Sequence, residues 1–154
     1  MTFEYKDIVV AVDGSTTAEV AFNKAIDIAN RNDAKLILAH VVDTRAFATV
    51  EAYDRSLAIR AEQYATELLN NYQEKAEKAG VTNVVVDIEY GSPKVKIAKD
   101  VAPKHKADLI ICGATGLNAM ERFFIGSVSE HITRYASCDV LVVRPDSENE
   151  SQDQ

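Results

Sequence analysis

Ile8-Val9-Val10-Ala11-Val12, closed by Asp13-Gly14-Ser15, is the stretch on which the fold turns. The run is apolar throughout and mostly β-branched. It lacks the alternation of a half-exposed strand, so both of its faces should be buried, as in a parallel sheet. Asp13-Gly14-Ser15 breaks it. A helical pattern follows, with Val20, Ala21, Ala25, Ile28 and Ala29 on one face. Thr16 and Glu19 stand at capping-box spacing at its start.

The same alternation continues outward. Leu36-Ile37-Leu38-Ala39-His40-Val41-Val42 reads as a second buried strand. An irregular stretch from Asp43 leads to a long helix, with Leu57, Ala61, Tyr64, Ala65, Leu68, Tyr72, Ala76 and Ala79 facing inward and Gly80 as its C-terminal glycine. Val84 to Ile88 is strand three. Ser92-Pro93 reads as N-cap and first helical residue, and the helix after it turns Val95, Ala98, Val101 and Ala102 inward. Strand four is Ala107 to Cys112. A glycine-bearing loop runs to a last helix near Gly126-Ser127, and Val140 to Val143 is strand five. Buried strands alternating with amphipathic helices predict an α/β three-layer sandwich on a parallel sheet. No internal repeat or linker interrupts it, so residues 1–145 read as one domain.

Composition agrees. Of 154 residues, 47% are hydrophobic, which argues against a disordered chain. No apolar run reaches the roughly 18 residues of a membrane span. The first residues are polar and unlike a secretory signal. Two cysteines 26 positions apart form neither a CxxC pair nor a disulfide framework, which fits a reducing cytoplasm. The net charge is -7, but Asp146, Glu148, Glu150 and Asp153 lie after Pro145. The rest of the chain holds 20 acids and 17 bases, a net -3. Residues 146–154 read as an acidic, disordered, solubilising tail. A chain with this balance lacks the basic footprint of nucleic-acid binding.

Ligands of open parallel sheets bind beyond the carboxyl ends of the strands. Glycine with hydroxyl or carboxylate gathers at two such ends, Asp13-Gly14-Ser15 and Gly113-Ala114-Thr115-Gly116 … Gly126-Ser127. A helix opening at Gly126-Ser127 presents unpaired N–H groups suited to phosphate, with the Ser127 and Ser129 hydroxyls close in sequence. Ser127 with Glu130 also has capping-box spacing, and Gly113 also suits a strand end. Spacing alone leaves both readings open.

Gly113-Ala114-Thr115-Gly116, nine residues, then Gly126-Ser127 resembles the G-2X-G-9X-G-[S/T] signature of ATP-binding universal stress proteins. Ile8 to Ser15, Leu38 to Asp43 and Ala136 to Pro145 extend the likeness over almost the whole chain. The resemblance implies a Rossmann-like, adenine nucleotide alpha hydrolase-like fold with strand order 3-2-1-4-5. It implies ATP as ligand, with Asp13 beside the ribose or metal-bridged phosphates and Mg²⁺ as the metal. It implies that the Val41 backbone meets adenine and that Gly113, Thr115, Gly116, Gly126, Ser127, Val128 and Ser129 line the ribose and phosphates. Ala11 and Val12 lead into Asp13 in the same set. It also implies a homodimer through Val140, Leu141, Val142 and Val143.

Rival chemistries lack their residues. No glycine precedes lysine, so there is no Walker A loop, and ATP binding with little or no hydrolysis is the expectation. A flavodoxin-type loop would need glycine where Ala18-Glu19 stand. A receiver domain would need aspartate where Tyr90-Gly91 stand. His40, His105 and His131 show no ligand spacing; His40, inside strand two, reads as a satisfied core histidine, with lining of the pocket as the alternative. No G-x-S-x-G elbow is present. Cys112 and Cys138 read as small buried hydrophobes. Met120, Phe123 and Phe124, in the loop over residues 117–124, read either as side chains packed on the body or as a surface that nucleotide orders for a protein partner. A non-nucleotide interaction module and a slow ATPase are the alternatives.

Overall fold

The computed structural model describes residues 4–44, 55–114 and 125–144. Five strands, β1 (Asp7–Ala11), β2 (Lys35–Asp43), β3 (Val84–Gly91), β4 (Leu109–Gly113) and β5 (Asp139–Val143), form one sheet. All pairings are parallel, and the order is β3-β2-β1-β4-β5. Helices α1 (Thr16–Asn32) and α2 (Ser56–Lys78) cover one face. On the other lie α3 (Pro93–Lys96), a π-helical turn (Ile97–Val101), α4 (Ala102–Lys104) and α5 (Ser127–Tyr135). The three layers and the strand order are those expected.

Alternate residues of each strand feed the two cores. Ile8, Val10, Leu36 and Leu38 meet Phe22 and Leu69 on the α1–α2 side. Val9, Ile37 and Ile110 meet Ile97, Val101 and Ile132 on the other. Continuous apolar strands are thus the consequence of a sheet buried twice.

Three local readings are corrected. Ser15, not Thr16, caps α1, because its hydroxyl accepts the Ala18 N–H at 3.1 Å. The buried stripe of α2 is Ala65, Leu69, Tyr72 and Ala76. Tyr64 stands about 100° round the helix from Ala65 and is 53% exposed; Ala79 is exposed at the C-cap. Beyond α3, Ile97 is buried where Val95 was expected inward, and Val95 is exposed. The cause is the π turn, where the Ala102 N–H reaches back five residues to the Ile97 carbonyl. Pro103 has no N–H with which to continue an α-helical ladder. Gly80 and Pro93 stand as expected, with Gly80 at φ 104 and Pro93 opening its helix. The Ser92 hydroxyl makes no capping bond.

A buried carboxylate holds the β3 edge. Asp87 accepts from Lys104 at 2.9 Å and pairs with His105 Nε2 at 2.7 Å. Burial pushes its carboxyl up, but the Lys104 and His105 hydrogen bonds outweigh this and hold it below the usual carboxylate range. A depressed acid stabilises the fold above its ordinary titration range, and that contribution is lost as pH falls through the lower folded value. Asp87→Asn is therefore expected to cost about 2 kcal/mol near neutral pH. The difference from wild type should shrink towards zero in strong acid. Urea melts across the pH range check this; a pH-independent difference contradicts it.

Candidate functional site

The neighbouring strands β1 and β4 send their chains to opposite faces of the sheet, α1 to one and α5 to the other. This is the topological switch point, where ligands of open α/β sheets bind, and α1 and α5 follow the two strands that meet there. The two helix starts differ chemically. At α1, the Ser15 hydroxyl takes the Ala18 N–H and lies 3.2 Å from the Thr17 hydroxyl. One of its first-turn donors, the Ala18 N–H, is thus met by a side-chain cap. At α5, the N-cap is Gly126, with no side chain to offer and no side-chain capping bond. Ser127 is the first helical residue and is exposed. The capping-box alternative for Ser127 and Glu130 is therefore not realised. The first-turn N–H groups of α5 keep their partial positive charge for an anion.

The loop between β4 and α5 is closed at its base. The Ala114 N–H donates to the Val143 carbonyl at 2.9 Å, and the Gly126 N–H to the Ala114 carbonyl at 2.7 Å. Gly113 ends β4, paired with Val143. A Cβ there would stand 3.0 Å from the backbone carbonyl of Thr17, so any larger residue presses α1 away from β4. Ser129 is buried, and its hydroxyl donates to the Gly113 carbonyl. It ties α5 to β4. Val128 is half-buried against the same core. Thr115, Gly116 and residues 117–124 lie outside the described residues, as do residues 145–154.

On the β1 side, Ala11 ends the strand half-buried and Val12 is buried. Asp13 turns back so that its Oδ1 accepts the Ser15 N–H at 2.9 Å. Gly14 follows at φ 83, a conformation that favours glycine. Its α-carbon faces Tyr64, whose hydroxyl is 2.6 Å from where a Cβ would stand. Val41 is buried in β2, two residues beyond the last pairing with β1. His40, for which lining the site was one of two readings, and Tyr64, which periodicity placed in the core, thus join this end of the site. Their signal was their polar atoms, which a core would have to satisfy.

Among the described residues, no group of three or more His, Cys, Asp or Glu side chains is placed to hold a metal. Asp13 has a second carboxylate oxygen to spare. One such oxygen fits Mg²⁺, which keeps waters and shares its coordination with substrate phosphates. Cys112 and Cys138 are free thiols, both pushed up by burial. That is the opposite of a redox-reactive cysteine. No described helix is long and apolar enough to cross a membrane.

Comparison with known proteins places this geometry. The model of the universal stress protein family matches residues 4–144. A universal stress protein of Staphylococcus haemolyticus is 54% identical over 140 residues, 91% of this chain and 85% of that one. The structure of the universal stress protein UspA from Lactobacillus plantarum superposes with a TM-score of 0.83 at 35% identity, covering 93% of this chain and 100% of the other. A universal stress protein solved in complex with cAMP superposes with a TM-score of 0.72 at 28% identity, over 92% and 98% of the two chains. The chain belongs to the universal stress protein family.

Proposed function

We propose that this protein binds ATP at the crevice between β1 and β4 and acts as a homodimeric, nucleotide-dependent regulator of a cytoplasmic stress response. The observation that carries the reading is the start of α5, where Gly126 leaves the first-turn N–H groups without a side-chain cap. A polyphosphate supplies the acceptors they lack. The relative solved with cAMP supports an adenine nucleotide as the ligand class. The base lies toward the Val41 backbone, the ribose near Asp13, and the phosphates at Gly126 and Ser127, with Gly113 and Ser129 shaping the floor. Asp13 would hold Mg²⁺ beside the phosphates, where the ion would offset their charge. No lysine follows a glycine in the sequence, so there is no Walker A loop, and the reading includes little or no hydrolysis. The dimer forms through the outer edge of β5, over Val140, Leu141, Val142 and Val143.

Mass spectrometry of the purified protein is expected to find an adenine nucleotide, and calorimetry a single ATP site per chain. Asp13→Ala should weaken ATP about tenfold, the worth of one charge-assisted hydrogen bond. No bound nucleotide and no heat with ATP would favour an interaction module. Turnover well above background, lost in Asp13→Ala, would favour a slow ATPase. Sedimentation at micromolar concentration should give twice the chain mass.

A further inference from the structure

The two inner strands separate at the mouth of the site. The pairing of β1 with β2 ends at Ala11↔Ala39, whereas β2 stays paired with β3 as far as Asp43↔Gly91. The last backbone bond across the gap runs from the Val12 N–H to the Ala39 carbonyl, at 2.9 Å. In a parallel ladder the next acceptor would be the Val12 carbonyl and the next donor the Val41 N–H. Instead, His40 Nδ1 sits 2.8 Å from that carbonyl. A carbonyl only accepts, so Nδ1 carries a proton and donates it to the Val12 carbonyl. The ring is half-buried and meets Tyr64 edge-on, with centroids 6.4 Å apart at 68°.

We propose that His40 is a positioning residue for base recognition: by occupying the Val12 carbonyl it ends the β1–β2 ladder early and keeps the Val41 backbone open to the edge of a purine. This rests on the nucleotide-binding reading above and adds the side chain that makes Val41 available. A residue without a donor at the Nδ1 position frees the carbonyl to turn toward the Val41 amide and close that edge. Asparagine places an amide nitrogen near the Nδ1 position. Glutamine reaches toward the Nε2 position instead. The Tyr64 ring, packed on the imidazole, limits its rotation.

The test compares wild type, His40→Asn, His40→Gln and His40→Leu by calorimetry, with ATP and with tripolyphosphate, which has no base. Amide hydrogen exchange at Val41 and Ala39 is followed in parallel. His40→Asn should bind ATP within about twofold of wild type, while His40→Gln and His40→Leu lose about tenfold, the worth of one hydrogen bond of this kind. Tripolyphosphate affinity should stay the same in all four. In nucleotide-free wild type the Val41 amide should exchange much faster than that of Ala39, and His40→Leu should slow it. Wild-type ATP affinity in His40→Leu would overturn the proposal. So would a matching loss of tripolyphosphate affinity, which marks general damage, or a Val41 amide as protected as Ala39 in wild type. Should wild type bind no ATP, the nucleotide reading fails, and the exchange comparison still decides the role of His40.

Discussion

Gly126→Asp is expected to abolish polyphosphate binding while leaving the fold as stable as before, or more so. The two effects have one origin. Gly126 has φ -68 and ψ 164, an extended conformation open to any residue. Aspartate is among the best N-caps, and its charge suits the positive end of a helix, a gain of about 1 kcal/mol. The N–H groups it would satisfy are those proposed to hold the phosphates. Its charge would also stand near the ligand's own, at about 1–4 kcal/mol per pair depending on screening. Together these lower ATP affinity about a hundredfold or more. Gly126→Asn caps without the charge and should fall between. Calorimetry with thermal melts reads both quantities. Unchanged ATP affinity would sink the α5 site; a fall in both affinity and stability would mean only a damaged fold.

Gly113→Val should produce the larger loss of stability. The added Cβ would meet the Thr17 carbonyl carbon and oxygen at 3.0 Å and the Thr17 Cβ at 3.2 Å. These are mostly backbone atoms that cannot rotate away, and Thr17 is itself buried in the first turn of α1. The helix must lift from the sheet. Overpacking of this kind costs about 3 kcal/mol, which for a domain of this size lowers Tm by roughly 6–12 °C. Gly113→Ala should show a smaller part of the same effect. Because the lifted turn carries Asp13 and Ser15, ATP binding should weaken alongside. A valine variant melting with wild type would show that α1 and β4 have room to spare.

Much of the architecture was legible because a sheet buried on both faces writes itself as uninterrupted apolar runs. Ile8 to Val12 and Leu36 to Val42 needed no tertiary knowledge. Helix faces were harder. Tyr64 fits an inward stripe by spacing, yet Leu69 holds the place, since alternative stripes about 100° apart share several members. The shift from Val95 to Ile97 was hidden because a π turn changes the period inside one helix. At the site, the glycines and Asp13 could be read as ligand-like from composition and resemblance. His40 could be placed near the pocket, but not its bond to Val12, 28 positions away. The uncapped start of α5 was likewise ambiguous until Gly126, rather than Ser127, proved to be the cap.

The carboxylates on β3 bear on how copies of the molecule can stack. The sheet has two outer strands, β3 and β5. Joining β3 of one molecule to β5 of the next would repeat head to tail, giving a filament wherever the rotation does not close into a ring. Inward-pointing and paired charges on an edge strand oppose strand addition. Asp87 and Glu89, bound to Lys104, stand on β3 in that role. With one edge guarded, the proposed pairing of β5 with β5 about a two-fold axis would be an assembly that ends at two copies.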